Sequence, residues 1–367
     1  MKITRIAVYG LVLPLDQPYS LSGGRLHFSE LDTTFVHIET DTGLDGWGEG
    51  CPWGSTYLPA FPGGIRAGLA ELGPSLLGAN PLRSDVINRL MDTALPGHPY
   101  VKSAVDIACW DIAGKAMDLP VADLLGGDTG EPVLVQSSIP TGTPESMVAA
   151  IDKARIAGYR VHSAKVGSGV DADVARIEAV ASSLQPGESI TFDANRAWLP
   201  DDAIRVMNAT AHVDSYFEQP CETFEENLMV RRLTKQPLIL DESIKTYQDA
   251  LRAISARACE GVGLKINRVG GLTKARRIRD LCIASGLRLN IEETGGSRLA
   301  DTAAVHLAQA TPAPHRRATW LSHEHLALNP VEEGVRNDGG STRIPEAPGL
   351  GARPDLAALG EPLAVYR

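Results

Sequence analysis

Between residues 160 and 266 the chain repeats one theme. RVHSAKV (160–166), SITFD (189–193), DSYFE (214–218), PLILD (237–241) and VGLKI (262–266) are short apolar runs, each with a charge at or next to its end. Those charges are Lys165, Asp193, Glu218, Asp241 and Lys265. From Asp193 onward they follow at intervals of 25, 23 and 24 residues, the length of one strand-plus-helix unit. Working outward, LVQSSI (134–139), LRLNIE (287–292) and RATWLS (317–322) bring the count of runs to eight. The segments between them carry a helical period: Val174, Ile177, Ala181 and Leu184 form one stripe, and Tyr247, Ala250, Leu251 and Ile254 another. Thr273 has the chemistry of an N-cap and Gly286 that of a terminator. The pattern predicts an α/β fold with parallel strands closed into a TIM-type barrel. An open doubly wound sheet is the alternative, but no G-x-G-x-x-G follows the first strand and no P-loop is present.

The N-terminal part follows another rule. Residues 2–9 (KITRIAVY), 31–40 (LDTTFVHIET) and 45–50 (DGWGEG) alternate as strands, with Gly43 in the turn between the last two. Helices are predicted over 64–78, 83–93 and 100–117, the last apolar almost all round and therefore buried. Residues 1–125 are thus expected to form an α+β capping domain and residues 126–339 the barrel. The segment 340–367, with PGLGARP, is expected to return to the capping domain.

Bulk properties narrow the function. At 367 residues and 43% hydrophobic, the chain is too large for one small core. Its net charge of −10 gives no electrostatic reason to bind nucleic acid. No apolar run approaches a membrane span and the N-terminus has no signal-peptide core. The five cysteines are odd in number and contain no C-x-x-C, which reads as reduced, buried thiols of a cytoplasmic protein. A catalytic Cys–His pair is the minor alternative.

In a TIM barrel the C-terminal strand ends form one rim, so the five charges would ring one mouth. Three converging carboxylates repel one another. A hard divalent cation relieves that, and oxygen-only ligands favour Mg²⁺, with Mn²⁺ possible. Such an ion leaves positions free for a substrate carboxylate and stabilises the enolate formed when the α-proton leaves. Lysines from strands two and six face each other across that point. A lysine serves as a base when its pKa falls toward neutrality, and a nearby cation and partial desolvation push it there. The bland readings are a helix N-cap for any one acid and a snorkelling edge residue for any one lysine. Five such residues in consecutive units favour the site.

These residues resemble the enolase superfamily, in its mandelate racemase and muconate lactonizing enzyme branch. The resemblance covers nearly the whole chain: a strand ending WGEG, the helix KSAVDIACWDIAGK before LLGG, the D…E…D acids, KINRVGGLTKA, and PGLG-x-x-PD. It implies a (β/α)7β barrel with an α+β capping domain, Asp193, Glu218 and Asp241 as metal ligands, and Lys165 and Lys265 as bases. Lys165 matches the second lysine of the family's K-x-K, whereas Ser163 stands in place of the first. Asn195 and Glu242 match polar residues just beyond the first and third ligands. Within the branch the chain is most similar to hydroxyproline-betaine and proline-betaine epimerases and to cis-3-hydroxy-L-proline dehydratases. Trp320 matches an aromatic that faces the quaternary ammonium in the betaine epimerases, a sensible cation–π partner. A core tryptophan is the equal alternative. Thr294 and Gly295 of ETGGS replace a tryptophan-containing element and reshape the pocket.

The sequence therefore points first to a racemase or epimerase of a proline-type amino acid or betaine, such as proline betaine or its 4-hydroxy derivative. A cis-3-hydroxy-L-proline dehydratase comes second, with the same proton abstraction followed by loss of hydroxide. A muconate-type cycloisomerase, a dipeptide epimerase or another amino-acid racemase comes after. A non-catalytic metabolite-binding barrel is the alternative of another class, and it has little use for paired bases. The partner is a small-molecule carboxylate, and a homo-oligomer, dimer to octamer, is expected from the resemblance. Loops near 15–30 and 50–60 should close over the mouth. Tyr19, Ser22, Trp53 and Tyr57 are the contacts they would bring, with Asn195, Glu293 and Trp320 from the barrel.

Overall fold

The computed structural model describes residues 1–367. Strands Ile3–Leu21, Leu26–Thr40 and Asp45–Gly50 form an antiparallel meander, and Ala364–Tyr366 pairs with Ile6–Val8 on its outer edge. Helices Pro62–Leu76, Ser84–Ala94 and Pro99–Met117 follow. The last of these explains DGWGEG. Gly46, Gly48 and Gly50 share one strand face, and the helix backbone lies directly on it. A Cβ added at Gly48 would stand 2.0 Å from the Ala104 carbonyl oxygen. Only glycine permits that approach.

The first hairpin differs from the sequence reading. Residues 15–30, with their Pro, Ser and Gly, were expected as a loop. They form instead the far end of two long strands, with Tyr19 opposite Phe28 and Leu21 opposite Leu26. The turn is Ser22–Gly24, where Ser22 and Gly23 take positive φ (53° and 63°). Proline is tolerated because the register shifts between Pro14 and Tyr19. The arm is thereby stiff, and its alternation turns Tyr19 and Leu21 toward the barrel mouth.

Eight parallel strands follow in sequential order: Gln136–Ile139, Val161–Lys165, Ser189–Asp193, Tyr216–Glu218, Leu238–Leu240, Gly261–Lys265, Arg288–Glu292 and Arg316–Ala318. A parallel bridge between Val135 and Thr319 closes the ring, with Gln136 N–H donating to the Thr319 carbonyl at 2.8 Å. Helices alternate with the strands, which gives the (β/α)7β order. Strand eight is shorter than the apolar run 317–322, so Trp320 lies beyond its end.

Three buried polar contacts seam the two parts together. Glu49 of WGEG accepts from the Ser297 hydroxyl (2.6 Å) and from the N–H groups of Ser297 and Ala300, so it caps helix Arg298–Gln309 across the interface. Asp106 accepts from Thr273 N–H (2.9 Å) and Oγ1 (2.6 Å). Thr273 is accordingly not the N-cap expected: the cap position is Gly271, and Asp106 caps helix Leu272–Ala284 from outside. His306 accepts from Ala122 N–H at Nδ1 and donates from Nε2 to the Leu350 carbonyl, both at 3.0 Å. All five cysteines are free and buried. No helix is long and apolar enough to cross a membrane.

Candidate active site

The strand register sets the site. Lys165 pairs with Asp193, Asp193 with Glu218, and Lys265 with Glu292, so these side chains emerge at matched levels of adjacent strands. Asp241 comes directly after strand Leu238–Leu240. The chain turns away sharply beyond the acids. Asn195, Arg196 and Gln219 all take positive φ (44°, 67° and 37°), an unfavourable conformation for residues with a side chain. Hydrogen bonds hold it: Asn195 N–H donates to Asp193 Oδ1 at 2.9 Å, and Gln219 Oε1 accepts from the N–H groups of Asp241 and Ser243. Gln219 thus braces the Glu218 end against the Asp241 end.

Four of the five charges line one cavity: Lys165, Asp193, Glu218 and Lys265. Asp241 sits just behind. Its carboxylate is gripped by Arg268 (2.7 Å) and Lys265 (3.1 Å). Lys165 pairs with Asp193. Lys265 also reaches Glu292 at 3.4 Å, and Gln136 donates to the other Glu292 oxygen at 2.9 Å. Glu218 stands apart. It is buried, yet no hydrogen bond or ion pair reaches its side chain. Burial pushes its pKa well above the usual carboxylate range, and Asp193, Asp241 and Glu292 push it further.

The lysines differ from the expectation of a lowered pKa. Burial pulls Lys165 down, but Asp193 together with Tyr19 and Glu218 holds its pKa above the usual lysine value. Lys265 is likewise pulled down by burial and held up more strongly by Asp241 and Glu292. Asp241 is raised by burial but lowered overall by Arg268 and Lys265. With the lysines turned onto the acids, no three carboxylates are gathered around one point. The donor chemistry nevertheless fits a hard cation. All donors are oxygens, and no ion pair reaches the buried Glu218 carboxyl, whose ionised form a cation would favour.

The cap closes the cavity with aromatic side chains. The Tyr19 ring lies 5.1 Å from Trp53 and 5.9 Å from Trp320, and its hydroxyl meets Ser138 Oγ. Trp320 stacks on Trp53 at 6.2 Å and on His325 at 5.3 Å. Trp320 therefore serves both readings, since it faces the cavity and belongs to the cap core. Tyr57 donates to Glu242 at 2.9 Å, as Asn195 does at 3.3 Å, and Arg196 donates to the Tyr57 carbonyl. Burial raises Glu242 to about 7, with Asp241 and Asp193 adding to it. Gly295 leaves room at the wall, where a Cβ would come within 3.3 Å of Leu31 and 3.7 Å of Trp53.

Two expected contacts lie elsewhere. The Ser22 hydroxyl donates to the Asn195 carbonyl at 2.8 Å, so it seats the hairpin tip on the barrel rather than facing the cavity. Glu293 is fully buried behind the wall and accepts from Asn267 N–H and Nδ2. Its neighbour Glu292 takes the lining position, because strand alternation lets only one of the two face inward. Sequence reasoning passed over Glu292 and Arg268. The first closes LRLNIE just as Asp193 closes SITFD, so the strand-end signal was present. The second lies inside the quoted KINRVGG motif.

Comparison with known proteins agrees with this geometry. Residues 6–126 match the mandelate racemase / muconate lactonizing enzyme N-terminal domain, and residues 146–358 match the enolase C-terminal domain-like family. A cis-3-hydroxy-L-proline dehydratase of Roseibium aggregatum is 42% identical over the full length of both chains. An N-succinyl-L-Arg/Lys racemase of Bacillus cereus is 30% identical over 84% of each chain. A crystal structure of an enolase superfamily member from Roseovarius nubinhibens, complexed with magnesium, superposes with a TM-score of 0.96 at 51% identity, covering 100% of this chain and 99% of that one.

Proposed function

Because the chain belongs to the mandelate racemase and muconate lactonizing enzyme branch of the enolase superfamily, we propose that it dehydrates a 3-hydroxyproline-type acid, starting from removal of the proton next to the carboxylate. It is an enzyme of the isomerase or lyase kind. The observation that carries the proposal is the meeting of Lys165, Lys265 and an unpartnered Glu218 in one closed cavity. The full-length likeness to a dehydratase reverses the order of preference drawn from sequence, where epimerisation came first.

A magnesium ion held by Asp193, Glu218 and Asp241 would neutralise the acids that now keep both lysines charged and would draw electron density from the substrate carboxylate. The chain's own groups do the rest. One lysine takes the proton from C2. The C2–H electron pair forms the C2–C3 double bond as the C3–O bond breaks. A lysine ammonium gives its proton to the departing oxygen, so water leaves. The enamine product then tautomerises to a cyclic imine. Glu292, oriented by Gln136, offers an acceptor to the ring N–H groups of a free imino acid. Tyr19, Trp53 and Trp320 cover the ring and exclude water.

A second reading has its own support. A betaine nitrogen has no N–H and is held by aromatic faces, which the Tyr19, Trp53 and Trp320 wall supplies. It makes the chain an epimerase, with the two lysines exchanging the C2 proton on opposite faces. Incubation in D₂O separates the two. The dehydratase consumes cis-3-hydroxy-L-proline and releases the cyclic imine. The epimerase returns proline betaine with deuterium at C2. Absence of both outcomes removes proline-type acids from consideration. Treatment with EDTA should abolish turnover and added Mg²⁺ restore it; full activity in EDTA would remove the metal from the mechanism.

A further inference from the structure

The opposite end of the barrel, where the strands begin, holds a second cavity. Ser189, Tyr216, Arg288, Arg316 and Arg317 are among its walls. Three guanidinium groups line it and no carboxylate does. The net charge of the chain is −10, and arginines elsewhere find acids, as Arg268 finds Asp241 and Arg155 finds Glu188.

The three arginines are held in different ways. Arg316 gives donors to the Pro132 carbonyl and Thr129, with Glu131 3.7 Å away. Arg288 and Arg317 enter no ion pair. Arg288 donates to the Tyr216 hydroxyl at 3.2 Å, which fixes its direction. Arg317 turns into the barrel, with its guanidinium carbon 3.8 Å from the centre of the Tyr216 ring and Nη2 on Thr191 Oγ1 at 3.2 Å. Its Nη1 is buried and has no hydrogen-bond partner. A desolvated guanidinium with no ion-pair partner is costly, and the tyrosine face and the more distant Glu218 offset only part of that cost. An orphaned N–H donor adds to it. What would satisfy the cluster is an anion with several oxygens, which planar guanidinium forks grip in pairs.

We propose that this cavity at the N-terminal end of the barrel binds a small tetrahedral oxyanion, phosphate or a phosphate monoester, between Arg288 and Arg317. The site is separate from the catalytic mouth and does not depend on the reaction assigned there. Calorimetric titration of the full-length chain with inorganic phosphate at fixed ionic strength tests it. One saturable site per chain is expected. Arg288→Gln should weaken it about tenfold, as loss of one charge-assisted contact does. Arg317→Met should abolish it, and Asp193→Asn at the other mouth should leave it intact. Should Arg317→Met fail to fold, the exposed Arg288 carries the test alone. The proposal is overturned by absence of saturable heat, by an affinity that Arg288→Gln leaves unchanged, or by binding that disappears with Asp193→Asn.

Discussion

The two halves of the catalytic mouth are built from different materials. The barrel contributes every acid and lysine of the lining, Lys165, Asp193, Glu218, Lys265 and Glu292, each at or near a strand end, beside the neutral Gln136, Ser138, Ser163, Asn195, Thr294 and Trp320. The cap contributes Tyr19, Leu21, Trp53 and Tyr57, none of them charged. This division has a physical reason. Charges that must act on one reacting atom need fixed mutual positions, and a parallel barrel supplies these through its register. A wall that covers the substrate needs apolar area and shape, which two long strands and one loop can present and vary. On the proposed function, the barrel would set the reaction, and the cap, with Thr294 and Trp320, the substrate's outline.

The largest effect should come from the barrel. Lys265→Ala is expected to lower kcat about a thousandfold, the range of a lost general acid–base group. Lys165→Ala should act similarly if both lysines serve the proton transfers. Steady-state turnover and C2 deuterium exchange check both variants. Turnover retained in Lys265→Ala would take the base role from the barrel side and break the division at its root.

Next in size is the seam that keeps the halves in register. His306, on a barrel helix, joins Ala122 of the short helix Val121–Leu124, at the end of the cap, to Leu350 of the returning tail. Burial lowers its pKa to about 4 from 6.5. The folded state therefore favours the neutral ring, since Nδ1 must accept the Ala122 N–H. The stabilisation is complete above pH 6.5 and is lost as pH falls from there through about 4, amounting to roughly 3 kcal/mol. Urea unfolding of the wild type should show a falling midpoint over that window, and His306→Asn should show much less dependence from this source. Equal slopes in the two proteins would remove His306 from the acid response.

Glu218→Gln should sharpen the picture by separating function from stability. A buried carboxylate beside Asp193 and Asp241, with no partner of its own, destabilises the metal-free chain. Replacement by the neutral amide should raise metal-free stability by about 1–3 kcal/mol while removing activity. A lower unfolding midpoint for the variant would mean that Glu218 is already satisfied in the folded protein.

The same division governed what could be read from the sequence. Strand-end charges were legible because they recur with the strand-plus-helix repeat, and the structure places Lys165, Asp193, Glu218 and Lys265 around one cavity. Arg268 and Glu292 were not singled out, although Glu292 closes its strand where the repeat would put a charge. Arg268 acts on Asp241 from the following turn, and that contact depends on tertiary packing. The cap was harder. Pro and Gly in DQPYSLSGG are loop signals, and only pairing with the second strand makes that stretch a strand. Ser22 and Glu293 were misplaced for a related reason: composition marks a segment as near the mouth, but alternation and turn geometry decide which way each side chain points. The Asp106 cap on the Thr273 helix is invisible to local reading, since its two members are separated by 167 residues.

The smallest effect is the most discriminating. Trp53 stacks on Trp320, packs at a tilt against Tyr19, and touches no charged group of the mouth through any hydrogen bond or ion pair. If the cap only covers the substrate, its contacts are alike in the ground state and the transition state. Trp53→Leu should then raise KM about tenfold and leave kcat nearly unchanged, the mark of uniform binding. A fall in kcat comparable to that of the lysine variants would mean that the wall also sets the angle at which the C2 proton meets its base. In that case the aromatic side of the mouth would belong to the chemistry, and the contrast between barrel and cap would be one of composition alone.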